Sequence, residues 1–113
     1  MHYEISGTVI RGEGYGRKLG FPTVNLETNE KEKLKELPRA GVYAGSAIVE
    51  GREYRAGIVI GPGEKVEAHL LDYNSDAYGK EVKLNINKFL REFKKFETEE
   101  ELISQIKKDL EQI

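Results

Sequence analysis

Alternating hydrophobic and polar positions run through most of the chain and predict strands. In residues 2–11, Tyr3, Ile5 and Val9 fall on one face of the segment and polar side chains fall on the other. This period-two pattern is typical of a half-buried strand. Further strands, separated by turn residues, are predicted over residues 41–49, 52–60, 65–73 and 80–90. Five or so strands of this length, with almost no helix between them, indicate a closed or nearly closed antiparallel barrel.

The hydrophobic period changes near the C-terminal end of the sequence. Leu102, Ile106 and Leu110 recur at spacings of four, which places them on one face of a helix. Thr98 and Glu101 have the spacing of a capping box, which marks the start of a helix. We therefore expect one C-terminal helix whose apolar face packs on the barrel, in a mainly β (α+β) fold.

Residues 12–40, between the first two predicted strands, lack regular periodicity. Their first half is rich in glycine, and their second half is a Glu/Lys run that could form a short helical turn or a connector. Glycines allow backbone N–H groups to converge on one point, and Arg17 and Lys18 add positive charge there. The segment could therefore bind a polyphosphate, although neither a Walker A nor a Rossmann context follows. A flexible surface loop is the alternative.

Composition narrows the classes of protein that this chain can be. It has 113 residues, no cysteine and a formal net charge of −2 from 18 basic and 20 acidic residues. The length suits one domain spanning residues 1–113, and the missing cysteines exclude disulfide scaffolds, Cys-ligated metals and thiol catalysis. No apolar run approaches the ~20 residues that span a bilayer. We expect a cytoplasmic monomer with neither nucleic-acid nor membrane partners.

The segment GRKLGFPTVNL, residues 16–26, resembles the signature of the riboflavin kinase family. Further similar segments follow in order along the chain, at residues 41–43, 66–73, 78–79, 90–96 and 100–109. The resemblance implies a six-stranded antiparallel Greek-key barrel with one C-terminal helix. It also implies a kinase that transfers the γ-phosphoryl group of ATP to the 5′-hydroxyl of riboflavin, forming FMN, with the assistance of Mg²⁺.

The same resemblance implies two sets of residues that bind the nucleotide. The loop over the phosphates corresponds to Gly14, Gly16, Arg17, Lys18 and Gly20. Thr23 and Asn25 match the residues that hold the metal and phosphate. Mg²⁺ prefers oxygen ligands, which these side chains supply, and Mn²⁺ or Zn²⁺ could replace it. Without the resemblance, Thr23 and Asn25 would be explained by a turn after Pro22.

On the flavin side, the resemblance implies a catalytic role for Glu67 and a flavin contact for both Glu67 and Arg91. A carboxylate within hydrogen-bond reach of the ribityl hydroxyl could accept its proton. The alternatives are an ordinary outward-facing strand position for Glu67 and a surface ion pair of Arg91 with a nearby glutamate, Glu92 or Glu97. His69 should share a face with Glu67, but we interpret it as a hydrogen-bonded barrel residue outside the site.

Two features depart from the family pattern. The segment 61–65 is shorter than in typical members, and the chain has no room for the nucleotidylyltransferase domain that precedes the kinase in many bacterial relatives. We therefore expect a stand-alone kinase that does not make FAD. One alternative is a non-catalytic flavin- or nucleotide-binding barrel that has lost turnover through the short 61–65 segment. Another is a protein-interaction module that uses the apolar face of the terminal helix.

Overall fold

A computed structural model describes residues 2–12, 18–28 and 31–113, apart from the side chain of Lys31. Within these residues the strands are β1 (Tyr3–Ile10), β2 (Val24–Glu27), β3 (Gly41–Val49), β4 (Arg52–Gly61), β5 (Lys65–Leu70) and β6 (Glu81–Glu92). The helices are α1 (Lys31–Lys35) and α2 (Glu99–Leu110). The predicted barrel strands and the C-terminal helix are confirmed, with β5 ending three residues earlier than predicted.

The strands form a closed antiparallel barrel in the order β1-β2-β5-β4-β3-β6, and β6 pairs with β1 to complete the ring. Strands β3, β4 and β5 follow one another as neighbours, whereas β6 crosses over to lie beside β3. Three consecutive strands and a fourth that returns beside the first are the definition of a Greek key. The predicted six-stranded Greek-key barrel is therefore confirmed.

The alternation of side chains along each strand separates the buried core from the outer face of the barrel. In β5, Val66, Ala68 and Leu70 are buried while the intervening Glu67 and His69 are partly exposed. Because successive side chains point to opposite faces, Glu67 and His69 lie on the outside of the barrel. The alternation is less strict in β3 and β4, where runs of three consecutive residues are buried. The buried side chains of the interior include Ile5, Val9, Tyr43, Ala47, Val49, Ala56, Ile58, Ile60, Val82, Leu84 and Ile86.

Helix α2 begins at the predicted cap. The Thr98 hydroxyl accepts a hydrogen bond from the backbone N–H of Glu101 at 3.2 Å, and Thr98 itself has extended backbone angles. Beyond the helix, Ile113 lies against β4, where a Cβ built on Gly57 would be 2.9 Å from Ile113 Cδ1. In the described part of the chain, no helix is both long and apolar enough to span a membrane.

Two short elements lie in the region that had no predicted periodicity. Strand β2 has four residues and takes its place between β1 and β5. Helix α1 contributes Leu34, which packs with Leu37 against the core, and the Tyr3 hydroxyl donates a hydrogen bond to the carbonyl oxygen of Lys33. Elements this short offer too few positions for a period to show, so tertiary pairing decides them.

Strands β3 and β6 approach so closely at Gly45 that no side chain fits there. A Cβ at this position would lie 1.9 Å from the carbonyl oxygen of Asn85, which is backbone and cannot rotate away. We predict that Gly45→Ala lowers the free energy of unfolding by about 3 kcal/mol because the strands must separate. The matched control is Gly61→Ala, where the built Cβ meets nothing nearer than 3.8 Å. Urea unfolding of both variants checks the prediction, and equal midpoints would contradict it.

Candidate functional site

A row of cross-strand partners crosses the outer face of the barrel. Asn25 of β2 pairs with Glu67 of β5, and Glu67 pairs with Val59 of β4. Val59 pairs with Val42 of β3, and Val42 pairs with Arg91 of β6. Neighbouring partners on antiparallel strands are about 5 Å apart, so about 15 Å of sheet separates Glu67 from Arg91. The register therefore places Asn25, Glu67 and Arg91, three of the predicted site residues, in one row across the sheet.

A cavity of about 890 Å³ lies over this row and is bounded by all five of its residues. Glu67 and Thr23 are among the polar residues that line it. The apolar side chains that also line it include Leu19, Phe21, Phe93, Phe96, Leu102 and Ile106. Sites for small organic ligands are typically about 300–1,000 Å³, with mostly apolar walls and a few polar groups. The volume of this cavity lies within that range and most of its lining surface is apolar, and many charged side chains also border it.

A second cavity, of about 560 Å³, adjoins the first at the start of β2. Its wall contains Arg11, whose guanidinium carbon lies 4.2 Å from the centroid of the Tyr78 ring. Thr23 and Asn25 line both cavities. The two side chains that the family resemblance assigns to the metal and phosphate therefore lie where the two cavities meet.

Gly12 is a site residue that the predicted set omits. A Cβ on Gly12 would lie 2.1 Å from Nδ2 of Asn25, so a side chain at position 12 would displace this amide. Ile10, two residues earlier, is the β1 partner of Asn25. The available signal was the position of Gly12 directly after a strand and at the start of the glycine-rich segment.

Arg91 binds helix α2 to the barrel. Its Nε lies 3.0 and 3.1 Å from the two carboxylate oxygens of Asp109, and its Nη2 lies 2.9 Å from Oδ2. Gln105 donates a further hydrogen bond to the same carboxylate at 3.0 Å. The Asp109 side chain is only 8% exposed and the Arg91 side chain 21%. The ion-pair partner of Arg91 is thus Asp109, 18 residues away, rather than Glu92 or Glu97.

Comparisons with known proteins identify the family of this chain. A family model described as flavokinase, or riboflavin kinase, matches residues 1–113. The bifunctional riboflavin kinase/FMN adenylyltransferase of Listeria monocytogenes is 35% identical over 115 residues, covering 95% of this chain and 36% of the relative. The chain belongs to the riboflavin kinase family. It spans about a third of the length of its bifunctional relatives.

Solved structures share the fold. The crystal structure of riboflavin kinase from Trypanosoma brucei superimposes with a TM-score of 0.76 at 24% identity, over 97% of this chain and 73% of the other. A structure described as a macrolide-efflux protein from Streptococcus pneumoniae gives a TM-score of 0.86 at 28% identity. That match covers 96% of this chain and 37% of the other. These structures thus share the fold over nearly the whole chain.

The predicted phosphate loop of this riboflavin kinase family member is only partly described. Gly14, Gly16 and Arg17 lie outside the described residues. Lys18 is exposed, and Gly20 has a positive φ of 91°, which favours glycine. Neither of these two described residues borders the two cavities, so their assignment to the phosphates stays a prediction.

The short segment that departs from the family pattern is a tight hairpin. Strand β4 ends at Gly61, which pairs with Lys65 at the start of β5, and both Gly63 and Glu64 have positive φ angles. Lys65 and Phe93 border the larger cavity, and Phe93 also lies close to Gly61. Side chains from β5 and from the segment after β6 therefore line the cavity next to this short turn.

His69 belongs to the cavity wall, although sequence reasoning left it outside the site. It shares the outer face with Glu67, as predicted, and lines the same cavity. Its Nδ1 lies 2.7 Å from the carbonyl oxygen of Pro22, and its ring meets Phe21 edge-on with centroids 6.1 Å apart. The signal that could have included it was its two-residue spacing from Glu67.

Removing Asp109 should destabilise the protein because it leaves the Arg91 charge without its partner. We predict that Asp109→Ala lowers the free energy of unfolding by about 3 kcal/mol. This value is at the lower end of the cost of removing one partner of a buried ion pair, because the Arg91 side chain keeps some access to water. Glu111→Ala, at an exposed position on the same helix end, should change it by less than about 0.5 kcal/mol. Urea unfolding measures both, and similar values for the two variants would argue against a stabilising pair.

Proposed function

We propose that this chain is a riboflavin kinase that converts riboflavin and ATP to FMN and ADP. The observation that carries the proposal is the meeting of two cavities at Thr23 and Asn25, with Glu67 directly beside Asn25 on the next strand. Phosphoryl transfer requires two substrates to be positioned in line and their charge to be neutralised. Two adjoining cavities with oxygen ligands and one carboxylate at their junction suit that requirement.

The larger cavity would hold riboflavin. Apolar side chains of α2 and of the segment 93–96 would contact the flat isoalloxazine ring. The part of the cavity beside Thr23 and Glu67 would receive the ribityl chain. The row from Glu67 to Arg91 spans about 15 Å, which is long enough for a flavin to lie along it. In this position the 5′-hydroxyl of the ribityl chain would be near Glu67.

The second cavity would hold the nucleotide under the segment 12–25. It opens next to Gly12 and Arg11, and the positive charge of Arg11 favours a phosphate chain. Lys18 and Gly20, with Gly14, Gly16 and Arg17 outside the described residues, complete our proposed phosphate loop. Thr23 and Asn25 would then be shared by the nucleotide and the flavin hydroxyl.

The residues at the junction fit a Mg²⁺ ion. Thr23 offers a hydroxyl oxygen and Asn25 an amide oxygen, both exposed to the two cavities, and Mg²⁺ prefers such ligands together with phosphate oxygens and water. When bound, the ion would neutralise negative charge on the transferring phosphoryl group. The absence of a side chain at Gly12 leaves the space that the Asn25 amide occupies.

Glu67 is our proposed general base. Its carboxylate accepts the proton of the riboflavin 5′-hydroxyl as that oxygen forms a bond to the γ-phosphorus of ATP. The bond between the γ-phosphorus and the β,γ-bridging oxygen breaks, and ADP leaves with the bridging oxygen. Arg91 borders the other end of the flavin. Three of its five N–H groups donate to protein oxygens of Asp109 and Glu92, so it contributes mainly by holding α2 beside the flavin.

Formation of FMN tests the proposal directly. Incubation with riboflavin, ATP and Mg²⁺ should give FMN and ADP in equal amounts, measured by chromatography. Omitting the metal should abolish product. Saturable riboflavin binding without FMN from any of the four common nucleoside triphosphates would contradict the proposal and favour a non-catalytic binding barrel. The cytoplasmic location, the monomeric state and the absence of nucleic-acid and membrane partners stay predictions from composition.

The role of Glu67 predicts a specific kinetic change. Glu67→Gln keeps the size and polarity of the side chain but cannot accept the proton, so kcat should fall by about 100-fold or more while the riboflavin Kd changes little. The control is Glu53→Gln, an exposed glutamate on the outer face of β4 that borders neither cavity. Steady-state kinetics and flavin fluorescence measure the two quantities. An unchanged kcat would remove Glu67 from the mechanism.

A further inference from the structure

The segment that carries Thr23 begins where the β2–β5 ladder stops. Val24 pairs with Ala68 and Asn25 pairs with Glu67, so the next position of the same register sets Thr23 opposite His69. Residues 21–23 are not part of a strand. Proline has no backbone N–H and cannot continue a ladder, which explains why pairing ends next to Pro22. Backbone pairing with β5 therefore does not extend to the residue proposed to hold the metal.

A side-chain contact holds the chain where the β2–β5 ladder ends. The Nδ1 atom of His69 lies 2.7 Å from the carbonyl oxygen of Pro22, directly before Thr23. The His69 ring also meets Phe21 edge-on, so the two residues that precede Thr23 are both held by one imidazole. Because His69 is on regular strand β5, these two contacts connect an irregular segment to the rigid sheet.

We propose that His69 is a positioning residue that places Thr23 for the metal–nucleotide complex, an inference that rests on the function proposed above. A carbonyl oxygen can only accept, so Nδ1 carries the proton and donates it to Pro22, and Nε2 is the acceptor nitrogen of the neutral ring. Side chains that orient a ligand residue in this way typically change metal affinity or activity by about 10- to 100-fold when they are removed. His69 acts through Thr23 and transfers no proton in the reaction.

Two variants of similar shape separate the hydrogen bond from the packing of the ring. His69→Asn puts an amide N–H close to the position of Nδ1, whereas His69→Leu has the same branching and no donor. Binding of Mg·ADP is measured by titration calorimetry, with riboflavin binding measured by fluorescence. We expect His69→Leu to weaken Mg·ADP binding about tenfold and His69→Asn to stay within about threefold of the parent. Both variants should have the same riboflavin Kd, because both lose the same ring from the flavin cavity.

Nuclear magnetic resonance tests the hydrogen bond without substrates or turnover. The chain has two histidines, so a His2→Gln background leaves the signals of His69 alone. Long-range ¹H–¹⁵N correlations of the neutral ring should show the Nδ1–H tautomer. A ring protonated at Nε2 instead would overturn the proposal, whatever the chain catalyses.

The binding data can also overturn it. Equal Mg·ADP affinities for His69→Asn and His69→Leu would mean that the hydrogen bond to Pro22 does not position Thr23. A parent protein that binds no Mg·ADP would contradict the proposed function, and the tautomer measurement would still decide whether His69 fixes the segment before Thr23.

Discussion

The register between β2 and β5 is the constraint on which the candidate site depends. Side chains alternate between the two faces of a strand, so a slip of one residue would turn Glu67 into the barrel interior and expose Val66 and Ala68. Burial of those apolar side chains in a closed ring of six strands prevents the slip. The core therefore determines where the carboxylate lies. Asn25 is held opposite Glu67 by the same pairing.

The other end of the cavity depends on a different interaction. A helix of 12 residues such as α2 is marginal by itself in water, so its position must come from tertiary contacts. The buried pair of Arg91 and Asp109 supplies one of these contacts, with Gln105 completing the hydrogen bonds of the carboxylate. A buried ion pair contributes little net stability compared with apolar packing, but it demands one geometry. In this fold the ion pair fixes the position of helix α2 beside the cavity.

Between these two ends, the chain uses irregular backbone where the chemistry would occur. Pro22 ends the β2 ladder, Gly12 allows the backbone to touch the Asn25 amide, and His69 replaces the lost backbone pairing with a side-chain hydrogen bond. Pro22 and Gly12 each lie within two residues of a residue that lines both cavities. A regular sheet would fill this space with ladder hydrogen bonds and leave no opening for two ligands to meet.

The sequence by itself determined the features that depend on local periodicity. Long alternating segments predict β1, β3, β4, β6 and the start of β5, and a Thr-x-x-Glu spacing marks the beginning of α2. The ordered family resemblance added the Greek-key topology, which the strand pairings confirm, and a set of site residues that stays a proposal.

Tertiary structure alone decided the contacts between distant parts of the chain. Strand β2 has only four residues, so its own pattern is too short to reveal it, and it forms because β1 and β5 leave a gap in the ring. The partner of Arg91 is 18 residues away rather than the nearby Glu92 or Glu97, because closure of the barrel sets where helix α2 can pack. His69 and Gly12 line the candidate site for the same reason: their neighbours Pro22 and Asn25 reach them only once the sheet has closed.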